Sequence, residues 1–258
     1  MVEHTRAHPR LKESSPPGRR EALAIGTLFL PAGVRARPSL LIHFHGAPWL
    51  PEVAAARVGG TAVISVQLDS GSSVYAKPFG DPAVFGRLLT EAESKSGTRF
   101  SSIILTSWSA GYGAVREILR SPENYARVDR VLLIDGLHTG YAGGAAGTGP
   151  GRESVLETDG LRVFGQFARD AVAGRKRMLV THSEIFPGTY ASTTETADWL
   201  IAELGLARRP VMKWGPMGTQ QLSEVRAGGF TLIGFAGNTA PDHVDQLHAL
   251  PDLLKRLK

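Results

Sequence analysis

The segment IILTSWSAGYGAVREIL, residues 103–119, carries the first sign of chemistry in this chain. An apolar, β-branched run gives way to small residues, and helical spacing begins within a few positions. Ser109 stands at that reversal. A strand-to-helix turn this tight strains its central residue and pushes the side chain out of the fold, where a hydroxyl can act as a nucleophile. Ser107, Ala110 and Gly111 are small enough for strand and helix nearly to touch. The Ala110 amide then opens the helix and points at whatever attaches to Ser109, which makes it one donor for an oxyanion.

A hydroxyl is a poor nucleophile without a base, and the base needs an acid to orient it. The chain has eight histidines. His4 and His8 lie near the N-terminus, and His43 and His45 flank Phe44 at the end of a strand-like run. His138, His182, His243 and His248 are scattered beyond. His243 is the best-placed base: its loop, NTAPDH, follows the last apolar strand and precedes a terminal helical segment. That position shares a sheet edge with Ser109 if the strands run parallel.

The surrounding pattern supplies such a sheet. Seven strands are expected, in EALAIGTLFLPAG, SLLIHFHG, TAVISVQL, SSIILTS, VDRVLLID, KRMLVTHS and GGFTLIGFAG. Helices are expected between them. One is capped by Asp81, enters through Pro82 and stops at Gly97, with Phe85, Leu88, Leu89 and Ala92 inward. Another runs from Gly111 to Arg120, and a third occupies about 163–172. A fourth opens with a capping box, Ser192 to Glu195, and the last is broken at Pro251. Alternating strands and helices imply a mostly parallel, twisted sheet with helices on both faces.

Composition bounds the function. At 258 residues, with 42% hydrophobic and 21% charged residues, the chain suits a single globular α/β domain over 23–258 after a disordered leader over 1–22. The leader has no apolar core of a signal peptide, and no run is long and apolar enough to span a bilayer, so a soluble protein is expected. The absence of cysteine excludes disulfides and thiolate metal sites and is compatible with either the cytoplasm or export. The net charge of +5 arises mainly from basic tails without interleaved aromatics, so nucleic-acid binding is not expected. The glycine-rich stretch GYAGGAAGTGPG lacks the Lys-Ser/Thr of a phosphate loop and reads as a surface loop.

Three short motifs resemble those of the α/β-hydrolases. S-W-S-A-G (107–111) is similar to the nucleophile elbow G-x-S-x-G, with Ser107 replacing the first glycine. H-F-H-G-A (43–47) is similar to the His-Gly turn after the third strand, and A-P-D-H (240–243) to the late histidine loop. The resemblance spans about 23–255 and implies an esterase- or lipase-like serine hydrolase that needs no metal or organic cofactor. It implies Ser109 as nucleophile, His243 as base, and the amides of Ala47 and Ala110 as the oxyanion hole. Pro48 has no N–H to offer. For the acid the resemblance offers Glu184, after the penultimate strand, or Asp135, one strand earlier. Asp135 is favoured because a carboxylate ending a buried strand needs a partner. Asp242 is read as a cap for the terminal helix.

Other assignments stay open. Trp49, Trp108, Tyr112 and Tyr190 could line an acyl or aryl pocket or be ordinary core and rim aromatics. His45 is expected to be structural, satisfied by nearby backbone. His43-x-His45 puts two imidazoles on one strand face, and with His138, His182 and Asp242 could build a metal-dependent hydrolase instead. A binding protein on a hydrolase scaffold is the third reading. Residues 136–160 are too sparse for a helical cap, so an open, shallow site is expected for a small-molecule ester with a short or medium acyl chain, or for a lipid or polyester surface. Oligomeric state has no signature in the sequence.

Overall fold

A computed structural model of the chain describes residues 10–143 and 155–257. In chain order it places β1 (Gly18–Ala22), β2 (Thr27–Pro31), β3 (Ser39–Phe44), α1 (Trp49–Val58), β4 (Thr61–Val66), α2 (Ser72–Phe79) and α3 (Pro82–Ser96). There follow β5 (Ser102–Trp108), α4 (Tyr112–Arg120), α5 (Pro122–Arg127), β6 (Arg130–Ile134), α6 (Arg162–Val172), β7 (Arg177–His182) and α7 (Thr193–Glu203). The chain ends with β8 (Arg209–Trp214), β9 (Gln220–Ala227), β10 (Phe230–Phe235), α8 (Ala240–His248) and α9 (Leu250–Arg256).

The strands form one ten-stranded sheet in the order β1-β2-β4-β3-β5-β6-β7-β10-β9-β8. From β4 to β10 every pair is parallel, and the outer strands on each side are antiparallel. The six parallel strands therefore end together, at Val66, Phe44, Trp108, Ile134, His182 and Phe235. At or just beyond that common edge Ser107, Asp135, His182 and Ser183 are all buried.

Alternation along the strands explains how both sheet faces are covered. Leu40, Ile42 and Phe44 of β3 point into one apolar cluster with α2, α3, α4, α6 and α7, while Leu41 points into a second with α1, α8 and α9. Strands buried on both faces read as unbroken apolar runs, which is why β3 to β6 are legible in sequence. The helix punctuation behaves as expected. The Asp81 side chain accepts from the Ala83 amide at 3.0 Å, Gly97 closes α3 in the left-handed region, and Phe85, Leu88, Leu89 and Ala92 are buried. The capping box at Ser192 and Glu195 opens α7.

The structure departs from the seven expected strands in three places. The first is a hairpin, β1 and β2, rather than one strand. It reaches into the expected leader, where Leu11 is buried in the second cluster, Arg10 pairs with Asp245 at 2.7 Å and Arg20 pairs with Glu52 at 2.6 Å. Strands β8 and β9 are additional. RPVMKW and QQLSEVRA carry charges and a proline at the sheet margin, so the apolar alternation that marks a strand is missing. Helices α1, α2 and α5 are also additional; α2 has a proline inside it and α5 spans only 6 residues. Of the glycine-rich stretch, residues 140–143 are described and 144–151 lie outside the described residues; Tyr141 bridges to Leu156 on its far side. Among the described residues no cap domain covers the sheet edge.

Candidate active site

Ser109 directly follows β5, at a backbone φ of 47°, the left-handed region that side chains enter at a cost. Its close neighbours explain how the turn is held. A Cβ on Gly111 would lie 2.2 Å from the Phe44 carbonyl oxygen, so only glycine lets the start of α4 rest on β3. A Cβ on Gly136 would lie 2.5 Å from the Ser109 carbonyl oxygen, so the chain leaving β6 packs directly against the elbow. The expected Ser107, in place of the first elbow glycine, is fully buried. Replacing Gly136 by alanine is expected to destabilise the fold by about 1–3 kcal/mol, because the added methyl group would overpack against the Ser109 backbone. A urea titration checks this, and an unchanged midpoint would remove the close packing from the account.

Asp135 follows β6, also in the left-handed region at φ 42°, and is buried. Its carboxylate accepts from the Ser183 amide at 2.8 Å, from the Ser183 and Thr193 hydroxyls, and from His243 Nδ1 at 2.7 Å. Burial pushes this carboxyl up, but the bond and charge of His243 and the Thr193 and Ser183 hydroxyls outweigh it and hold the group below the usual carboxylate range. Because a carboxylate only accepts, the imidazole proton sits on Nδ1 and leaves Nε2 free to take another. Glu184 is exposed and its backbone amide is tied to Gly237, so His243 finds Asp135 and not Glu184. Ser183 and Thr193 were invisible in sequence: nothing in a lone Ser or Thr announces which carboxylate it will meet.

His243 lies in the first turn of α8, beside the elbow. The ring of Trp108, next to Ser109 in the chain, lies 4.6 Å from the His243 ring, and its Nε1 donates to the His243 carbonyl at 3.0 Å. On its other side Trp108 stacks on His45, with ring centres 5.1 Å apart and planes 13° apart. Asp242 caps α8 as expected, its carboxylate accepting from the Thr239 amide at 3.0 Å and the Thr239 hydroxyl at 2.8 Å.

The turn after β3 is held by side chains. His45, at φ 72°, bonds through Nδ1 to the Tyr75 hydroxyl at 2.8 Å, rather than to backbone as expected. The Gly46 amide donates to Gln67 Oε1 at 2.7 Å and is thereby committed. Ala47, the next amide before Pro48, is exposed. Ala110 sits in the short 3₁₀ turn that leads into α4. Burial, and next the charge of His243, hold the His45 imidazole below its usual value.

The remaining expected site residues are spread over the rim. Trp49 packs on the second cluster, 6.0 Å from the His248 ring. Tyr190 is exposed, edge-on to His138 at 5.0 Å, and His138 in turn meets Tyr112 at 5.9 Å. The alternative metal set does not converge. His43 is buried on Thr106 at 2.7 Å, His45 turns to Tyr75, His182 Nε2 meets Arg208 at 2.8 Å, and Asp242 caps α8. Among the described residues no group of three or more His, Cys, Asp or Glu is placed to hold a metal ion.

His43 and His182 add a pH dependence to stability. Burial above all drives both imidazoles down to about 4 from an ordinary 6.5. The unfolded chain therefore binds more protons below pH 6.5. The stabilisation is complete above that value and is lost as pH falls through the folded values, at a cost on the order of a few kcal/mol. Urea midpoints between pH 7 and 4 should fall less steeply in His43→Gln than in the wild type; equal slopes would show that burial does not shift the titration of this histidine.

No known protein family and no curated protein matches the chain by sequence. Its structure, however, resembles a thermostable esterase from Pseudomonas putida at a TM-score of 0.54 and 12% identity, over 96% of this chain and 83% of that one. It also resembles carboxyl esterase 2 from the mycorrhizal fungus Tuber melanosporum at a TM-score of 0.51 and 15% identity, over 94% and 86%. With the strand order and the strained turn after β5, this establishes the fold: the chain is an α/β-hydrolase fold with no cap domain among its described residues.

Proposed function

We propose that the chain is a serine hydrolase that cleaves carboxylic esters through an acyl-enzyme. The observation that carries this reading is the 2.7 Å contact between His243 Nδ1 and buried Asp135, beside a serine held in the left-handed region. Such a pair fixes the imidazole tautomer that can accept a proton on Nε2. Ser109 Oγ attacks the ester carbonyl carbon as Nε2 of His243 takes the hydroxyl proton. The charge that develops on the carbonyl oxygen is met by the amides of Ala47 and Ala110. Collapse expels the alcohol, which takes the proton from the imidazolium; water then repeats the sequence and releases the acid. Asp135 stays ionised throughout and stabilises the imidazolium. The two esterases that share the fold support an ester over other acyl groups.

Trp49, Trp108 and Tyr190 are proposed to bound the substrate. Trp108 lies between the His243 and His45 rings, while exposed Tyr190 can meet the acyl or alcohol group directly. The open edge favours short or medium acyl chains. Labelling by a fluorophosphonate, read by intact mass, tests the reading. A single adduct that maps to Ser109 is expected. Absence of an adduct on folded wild type would remove the hydrolase and leave a binding protein on this scaffold.

A further inference from the structure

The most exposed large apolar side chains among the described residues are Met212, 80% exposed, and Trp214, 76% exposed. Both lie on β8, which is paired with β9 on one side and forms the margin of the sheet. Exposed apolar side chains grouped on one strand mark a contact surface more often than single ones do. The same hairpin gathers cations. Arg209, Lys213 and Arg226 all pair with the single buried carboxylate of Glu224, Lys213 at 3.3 Å and Arg226 at 3.5 Å. Three positive charges on one negative leave the patch cationic.

We propose that β8 and the turn after it dock the protein onto an anionic lipid surface. Tryptophan partitions to the boundary between headgroups and acyl chains, and the cations of the same hairpin can meet anionic headgroups. A second copy of the chain fits this surface poorly. Pro210, Arg209 and Lys213 oppose edge-to-edge strand pairing, and a two-fold contact would set the same cations against each other. A single-stranded nucleic acid needs successive stacking platforms, and β8 offers one aromatic ring.

The placement suits the site. Both β8 and β10 run antiparallel to β9, so Trp214 ends at the sheet edge that holds Ser109 and His243. Gly215 lies against the Phe235 ring, and the turn at Pro216–Gly218 packs on α8, the helix of His243. Phe186, 64% exposed, rises from the segment after β7 at the same edge. Docking there would bring the open site against the lipid surface. That last consequence rests on the hydrolase reading; the docking itself does not.

Co-sedimentation of the full chain with vesicles tests the proposal, using phosphatidylcholine alone and phosphatidylcholine mixed with phosphatidylglycerol. Binding to the mixed vesicles, weaker binding to phosphatidylcholine alone and release by high salt are expected. Trp214→Ala should weaken binding roughly tenfold or more, as should Met212→Ala to a lesser degree, since each removes one large side chain from the apolar layer. A blue shift of tryptophan emission on vesicles should vanish in Trp214→Ala, because Trp49, Trp108 and Trp199 are already partly buried. Equal binding by wild type and Trp214→Ala would overturn the proposal, as would indifference to phosphatidylglycerol, a dimer held by β8, or a preference for DNA over vesicles. Fluorophosphonate labelling of the wild type in solution reports on Ser109 alone, so the docking and the hydrolase reading can fail separately.

Discussion

Replacing Ser109 by alanine is expected to lower kcat for a nitrophenyl ester by about 10⁴- to 10⁶-fold, the loss that follows when an acting unit of nucleophile and base is broken. The residue occupies a conformation that costs a side chain about 1–3 kcal/mol, because Cβ crowds the following carbonyl at φ 47°. A fold keeps such strain only where the neighbours hold it, and here Gly111 and Gly136 press against Phe44 and Ser109 from two sides. Ser109→Gly should therefore abolish turnover and raise the urea midpoint together, since glycine enters this region freely. Ser109→Ala should lose turnover without that gain. Turnover within tenfold of the wild type in either variant would sink Ser109 as the nucleophile.

Asp135→Asn is expected to cost about 10⁴-fold in kcat with little change in shape. Asparagine keeps an oxygen for the Ser183 amide and the Thr193 hydroxyl. Its NH₂ group, however, would face Nδ1 of His243 and force the imidazole proton onto Nε2, where no base remains. The wild-type carboxyl is held below its ordinary range, so it is ionised wherever His243 can act as a base. Glu184→Gln is the paired control. Its side chain is exposed, and kcat should stay within about twofold because water and salt screen a solvated carboxylate. The reverse ranking of the two variants would move the acid to Glu184 and leave the 2.7 Å contact without a catalytic role.

The sequence by itself determined the parallel centre of the sheet. Strands buried on both faces must be apolar throughout, and the turns between them must carry caps and glycines, so β3 to β6 and α3 can be read locally. It also set Ser109 and Asp135 directly after strands and His243 at the start of the helix that follows the last strand, on the edge where a parallel sheet gathers its reacting groups. The choice between Asp135 and Glu184 was different. Both end apolar strands, and which one His243 meets depends on how α8 folds back across the edge, a contact between residues 108 positions apart. Likewise the partners Ser183 and Thr193, the Tyr75 hydroxyl on His45 and the Gln67 side chain on Gly46 carry no local signature. The sheet margins were equally hidden. β8 and β9 gain their pairing from β10, not from apolar alternation, so their charges and proline conceal them in sequence. Local propensity reflects what a segment buries by itself; hydrogen-bond partners and edge strands are set by what the rest of the chain brings to them, and only the tertiary structure decides that.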